Sequence, residues 1–235
     1  LYQALKVQDA GADAYNVAVG YNAGEDITTG VQNVIIGGLA GDALTSGSNN
    51  VAIGHEALST EDTGNRNIAI GSSALANANF DGNGYNIAIG HTAGQAITTG
   101  ERNTILGGLA GDAITTGDYN VAIGFSTLSS EDAHGRNVAV GYQALKLQDA
   151  GADAYNVAVG YNAGEAITTG DKNVLIGGLA GDALTTGSRV VAIGYGALGS
   201  EDTRSNAVAL GYLALNAQNA GADSNNTAVG YLSGY

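Results

Sequence analysis

Short aliphatic runs, opened by Asn and closed by Gly, recur along the chain at near-constant spacing. The clearest, Asn16-Val17-Ala18-Val19-Gly20, returns as Asn50-Val51-Ala52-Ile53-Gly54, Asn67-Ile68-Ala69-Ile70-Gly71, Asn86-Ile87-Ala88-Ile89-Gly90 and onward to Asn226-Thr227-Ala228-Val229-Gly230. Aliphatic residues alternate with Ala over a run too short for an amphipathic helix, so each run predicts a β-strand. The closing glycines fall at thirteen positions from Gly20 to Gly230, with gaps of 17, 17, 17 and 19 residues taken three times over. Periods of this length mark a repeat array. Four units make a 70-residue super-repeat, with copies at 1–70, 71–140 and 141–210 and a partial copy at 211–235, in one continuous array over 1–235. Residues 2–30 and 142–170 agree at 27 of 29 positions, which points to tandem duplication and favours length over a single unique site.

After each closing Gly comes a second patch, such as Tyr21-Asn22-Ala23-Gly24, with Ala at its third place in eleven of thirteen units. Small residues there predict close backbone approach. A turn follows, often Ile-Thr-Thr-Gly (Ile27 to Gly30, Ile97 to Gly100, Ile167 to Gly170), whose Gly is expected to take positive φ and return the chain to the next Asn. A unit of 17 to 19 residues with two short strands and two glycine turns is the size of one coil of a parallel β-solenoid, which makes the chain all-β. Coils would stack at about 4.8 Å. The anchor asparagines Asn16, Asn33, Asn50, Asn67, Asn86, Asn103, Asn120, Asn137, Asn156, Asn173 and Asn226 would then bond in a ladder that pins the register, interrupted by Val190 and Ala207.

Both faces of the strand are apolar. Val17 and Val19 point one way and Ala18 the other; the aliphatic pair is assigned to the coil's own core. A strand with one face in water would carry polar residues there, so the Ala face is expected to meet another subunit. That assigns the subunit interface to Ala18, Ala52, Ala69, Ala88, Ala122, Ala139, Ala158, Ala192, Ala209 and Ala228, with Ile35, Ile105 and Leu175 in the remaining units.

Composition narrows the partners. The chain has 235 residues, 38 of them Gly, no Pro, Cys, Met or Trp, and 8 Lys plus Arg against 22 Asp plus Glu, a formal charge of -14. An acidic balance disfavours nucleic acid and anionic membrane surfaces, both of which need clustered Lys and Arg. Without Cys there is no disulfide framework or thiolate metal site, and no apolar run reaches the length of a membrane helix. The chain starts inside a repeat, at Leu1-Tyr2-Gln3-Ala4-Leu5 against Gly141-Tyr142-Gln143-Ala144-Leu145, so it is expected to be a segment of a longer protein.

The Asn-Val-Ala-Ile-Gly core followed by a small residue, repeated along nearly the whole chain, resembles the YadA-like (Hep/Hag) head repeats of trimeric autotransporter adhesins. It also resembles repeats of phage tail fibres. The resemblance implies a homotrimer of left-handed parallel β-rolls packed about a threefold axis. It implies an extracellular setting, on a virion tail fibre or a bacterial surface, and a cell-surface glycan or receptor as a partner. This chain departs in its longer units, its Thr-Thr-Gly return arm, and its Asn directly before the first aliphatic residue, where adhesin heads commonly have an intervening Ser.

Several stretches invite other chemistry. Ile35-Ile36-Gly37-Gly38-Leu39-Ala40-Gly41-Asp42 is a glycine-rich turn after an apolar strand, but no helix of useful length can follow to complete a phosphate cradle. The two-residue insertion in every fourth coil gives acidic loops at Asp9 to Asp13, Asp81 to Gly84, Asp149 to Asp153 and Asn219 to Asp223, with at most two carboxylates each for a Ca²⁺ that takes six to eight oxygens. They are read as solvated loops. Glu61-Asp62, Glu131-Asp132 and Glu201-Asp202 are read as edge charges against aggregation. The pairs Thr28-Thr29, Thr98-Thr99, Thr115-Thr116, Thr168-Thr169 and Thr185-Thr186 suggest an ice-binding face, yet only two coils in four carry one. His55, His91 and His134 lie in different coils without a repeated partner and are read as surface residues, so no metal, cofactor or catalytic residue is assigned. Tyr21, Tyr142, Tyr161, Tyr195, Tyr212 and Tyr231 each follow a closing Gly, as an aromatic strip for sugars or as packing. Asn225-Asn226-Thr227 is a lone glycosylation sequon.

The function expected is a non-catalytic spacer or adhesive segment of an extracellular trimeric fibre. The alternatives are a monomeric solenoid with a Ca²⁺- or ice-binding face and a polysaccharide-acting solenoid enzyme.

Overall fold

A computed structural model describes residues 2–11, 13–200, 203, 205–217 and 225–235. The Glu201-Asp202 pair and the insertion loop at 219–223 lie outside the described residues. The chain divides into two compact units, Leu1–Asp118 and Tyr119–Tyr235. In the first, β1 (Val17–Val19), β2 (Val34–Ile36), β3 (Val51–Ile53), β4 (Ile68–Ile70), β5 (Ile87–Ile89) and β6 (Thr104–Leu106) pair in chain order, all parallel. In the second, β7 (Val121–Ile123), β8 (Val138–Val140), β9 (Val157–Val159), β10 (Val174–Ile176), β11 (Val191–Ile193), β12 (Val208–Leu210) and β13 (Thr227–Val229) do the same. The register matches equivalent positions of successive repeats: Val51 faces Ile68, Ala52 faces Ala69 and Ile53 faces Ile70. Each unit is a parallel β-solenoid, and among the described residues there is no helix.

Each coil holds one strand rather than the expected two. The other arm winds through left-handed corners. One falls at the residue before the anchor (Gln32, Asn49, Arg66) and one at the second residue after the closing Gly (Asn22, Leu39, Glu56), all with φ between 54° and 62°. A non-glycine residue there costs about 1–2 kcal/mol. The flipped peptide is not left unpaired, because Gln32 donates its N–H to the Ala14 carbonyl at 2.7 Å and Leu39 donates to Tyr21 at 2.9 Å, each on the preceding coil. Inter-coil bonding thus continues around the corners and offsets the strain.

Two glycine columns have different causes. Gly20 has φ +144°, and a Cβ on it would overlap the Gly37 carbonyl, so conformation and space both demand glycine. Gly30, at the end of Ile-Thr-Thr-Gly, does not take the positive φ expected of it. It is glycine because a Cβ would overlap the Gly47 carbonyl and crowd the Asn33 amide at 3.3 Å.

The interior of a coil is narrow, and this reverses the expected placement of bulk. Ala52, Ala69, Ala88, Ala122 and Ala139 are fully buried inside the coil, and the flanking Val, Ile and Leu residues of the strands point outward. Across the interior lie the buried Ala23, Ala40 and Ala57 and, in each coil, one larger side chain such as Ile27, Leu44 or Leu58. Ile35 replaces Ala in the strand where the opposite position is Gly41, whose added Cβ would touch the Ile35 Cδ1 at 3.1 Å and the Leu44 Cδ1 at 2.9 Å. The volume is already full, as close-packed interiors require. Nine of the ten alanines assigned to a subunit interface are therefore core residues, and Ala18, in the first strand, is half-buried.

Candidate functional site

The anchor asparagines form a ladder in each unit. Asn33 donates its backbone N–H to Asn16 Oδ1 at 2.8 Å, Asn50 to Asn33 Oδ1 at 2.9 Å and Asn67 to Asn50 Oδ1 at 2.9 Å. The Asn33 and Asn50 Nδ2 groups donate to the Gly47 and Gly64 carbonyls, both at 2.8 Å. The second unit repeats this from Asn120 through Asn137 and Asn156 to Asn173, whose Oδ1 accepts the Val190 N–H at 2.9 Å. At Val190 the rung has no side-chain amide to carry it on. Asn67 and Asn137 precede insertions: Asn67 Nδ2 reaches Asn50 Oδ1 at 3.4 Å, and the buried Asn137 Nδ2 has no partner.

The outward strand face is the feature that sequence reading misplaced. Its columns are Val17, Val34, Val51 and Ile68, and beside them Val19, Ile36, Ile53 and Ile70, in the first unit; Val121, Val138, Val157 and Val174, with Ile123, Val140, Val159 and Ile176, in the second. The thirteen strands contain only Val, Ile, Leu, Ala and Thr, so no charge interrupts the face. Val19 is 49% exposed, and even in mid-array Ile36 and Ile176 keep 37%. Contiguous exposed aliphatic surface of this kind marks an interaction site. The signal for it was the size of the alternating residue: a coil this thin takes the small one inside.

One residue past the closing Gly, aromatic rings stack along each unit. Tyr2 lies over Tyr21 at 5.6 Å, Phe125 over Tyr142 at 5.9 Å, Tyr142 over Tyr161 at 5.3 Å, Tyr195 over Tyr212 at 5.7 Å and Tyr212 over Tyr231 at 5.4 Å, all near-parallel. These rings are exposed. On the other side of the strand, Arg136 sits between Tyr119 and Tyr155, at 5.7 and 5.6 Å from the ring centres. Stacked rings spend their faces on one another, which leaves their edges to contact a partner.

In the two described acidic pairs the glutamates are not edge charges, whereas Asp62 is half-buried and Asp132 exposed. Glu61 and Glu131 are fully buried. Glu61 accepts the Gly64 N–H at 2.7 Å and the Phe80 N–H at 3.2 Å, closing its own loop and anchoring the insertion of the next coil. Burial holds its carboxyl above the ordinary range, with those two backbone bonds pulling the other way. Glu131 accepts the His134 N–H at 3.1 Å through Oε1, whereas its Oε2 has no hydrogen-bond partner. Burial, then the charges of Asp149 and Asp132, push Glu131 up to about 7 against the pull of the His134 N–H. Donor atoms of Glu131, Asp132, His134 and Asp149 all lie within 4.8 Å of one another. His134, read from sequence as an isolated surface residue, thus sits among three carboxylates, with its Nδ1 at 3.5 Å from Glu131 Oε1. The signal was available in the super-repeat: His134 stands where the first copy has Gly64, and Asp149 where it has Asn79. His55 and His91 are exposed as expected.

The remaining stretches are structural. The tips of the insertion loops project, since a Cβ on Gly11, Gly82 or Gly151 would meet nothing within 4 Å. Their bases do not: Phe80 and Gln148 are buried, and Asp153 pairs with Arg136. Thr28, Thr98 and Thr168, the first threonines of three pairs, donate their hydroxyls to the carbonyls of Thr45, Thr115 and Thr185 on the next coil, at 3.1, 3.2 and 3.3 Å. Gly37-Gly38 is a coil corner. Among the described residues neither unit forms a ligand-sized pocket. No protein-family model, curated protein or solved structure matches the chain.

Proposed function

We propose that this chain is a non-catalytic, self-associating segment of an extracellular fibre, a homotrimer of left-handed β-rolls that acts as a stiff spacer and presents its variable loops for attachment. The observation that carries the reading is the uncharged face of the strands in each unit, aliphatic except at Thr104 and Thr227. An apolar face with no charged residue, repeated coil after coil, is complementary to itself, and symmetric copies of one chain satisfy it at the lowest cost in new sequence. Trimeric order and left-handedness follow from the resemblance to adhesin heads and tail fibres. The interface is the Val/Ile face in place of the Ala face, with the stacked tyrosines at its margin. Inter-coil hydrogen bonds that continue through strands, corners and the Asn ladder supply stiffness within each unit. Attachment to a cell-surface glycan or receptor would come from loops that differ between copies, such as residues 76–85, since such loops vary on a fixed scaffold.

The chain contains no cysteine, which makes a labelling test direct. Single substitutions Ile53→Cys and Val191→Cys, on the face, should react with a maleimide at least tenfold more slowly than Thr29→Cys on the return arm, with all three equal in denaturant. Equal rates in the folded protein would show that the face is open and would end this reading.

A further inference from the structure

We propose that Glu131, Asp132, His134 and Asp149 form a binding site for one divalent d-block cation such as Zn²⁺, which fastens the 149–153 insertion to the return arm of the preceding coil. This goes beyond the fibre reading and does not depend on it. One imidazole nitrogen and three carboxylates is a donor set suited to Zn²⁺, Co²⁺, Ni²⁺ or Mn²⁺, whereas Ca²⁺ takes oxygens alone. The donors converge: one atom from each residue lies within 4.8 Å of every other. A tetrahedral Zn²⁺ with bonds of about 2.0–2.2 Å holds its ligands about 3.3–3.6 Å apart, so a contraction of at most about 1.5 Å between donor atoms completes the shell. Asp132 and Asp149 are exposed, while Glu131 and the His134 backbone are joined by a 3.1 Å hydrogen bond.

The independent observation is the polar group left over. Glu131 is fully buried, one of its carboxylate oxygens belongs to the cluster, and its Oε2 has no hydrogen-bond donor; the His134 Nδ1, also shielded from solvent, has no hydrogen-bond partner either. A buried carboxylate oxygen without a partner is costly. The first super-repeat shows how the fold satisfies this glutamate where no ligand is intended: Glu61 receives N–H groups from both Gly64 and Phe80, with no histidine nearby. In the second copy the Phe80 donor is replaced by Ala150, and His134 and Asp149 are introduced together. The third copy has Arg204 at the histidine position, so the site occurs once in the sequence.

The first copy also supplies substitutions that the fold accepts. His134→Gly and Asp149→Asn restore Gly64 and Asn79, so both variants should keep the native circular dichroism and melting temperature without metal. Titration of the whole chain with Zn²⁺ in a calorimeter should give one ion per chain and a raised melting temperature, and each variant should weaken binding at least tenfold. Co²⁺ should show a visible absorption band that His134→Gly abolishes. Absence of Zn²⁺ and Co²⁺ binding, or binding that survives both substitutions because it resides on His55 or His91, would overturn the assignment. So would Ca²⁺ binding that is tighter than Zn²⁺ binding and indifferent to His134→Gly.

Discussion

A methyl group inside and a branched aliphatic group outside is the opposite of the arrangement that amphipathic patterning usually delivers, and it follows from the width of the coil. Ala52 is packed against the opposite arm, and a larger residue enters that column only where Gly41 or its equivalents leave room. The same scarcity of space places Glu61 in full burial as the acceptor for two backbone N–H groups. Its carboxyl is held above the ordinary value of 4.5 by burial. Between that value and the raised one the folded chain keeps a proton that the unfolded chain releases, so folding stability is fully present below the window and declines as pH rises through it. Half-buried Asp42, Asp112 and Asp182 shift in the same direction, chiefly through partial burial. Urea midpoints measured at steps between about pH 4 and 8 should therefore fall with rising pH in the native chain and fall less steeply in Glu61→Gln; an identical slope would remove the assignment of this glutamate.

At the level of the coil, register is held by a rung that serves two partners. Asn50 gives its Nδ2 hydrogen to the Gly64 carbonyl and receives the Asn67 N–H, both inside the protein. Asn50→Ala strands those two groups and should cost about 2–4 kcal/mol, at about 1–2 kcal/mol for each buried orphan, read as a lowered thermal midpoint. A change below about 0.5 kcal/mol would mean that water reaches the rung. Much of the coil was legible from the chain: the repeat length, the parallel pairing and the position of Asn at a turn all follow from spacing. The return arm was not, because Leu39 and Glu56 occupy left-handed corners that their side chains do nothing to advertise. Nor was the inward face, since Val-Ala-Ile alternates equally well either way round until the thickness of the coil is known. The metal-type cluster escaped because it is an exception to the repeat, and repeat reading averages exceptions away.

For the whole molecule, charge and apolar surface are kept apart. The chain carries -14 overall, yet no charged residue falls in any strand. In the proposed assembly the acidic turns would stay at the surface as mutually repelling charges, and the aliphatic face would pair with copies of itself. In the proposed trimer, association would bury this exposed aliphatic face. Light-scattering mass of the purified chain is the most direct test. Three times the chain mass of 23.3 kDa, about 70 kDa, is the expected result, independent of concentration over the micromolar range. A stable mass of 23.3 kDa under the same conditions would contradict it, leaving the Val/Ile face exposed and the fibre reading without its support.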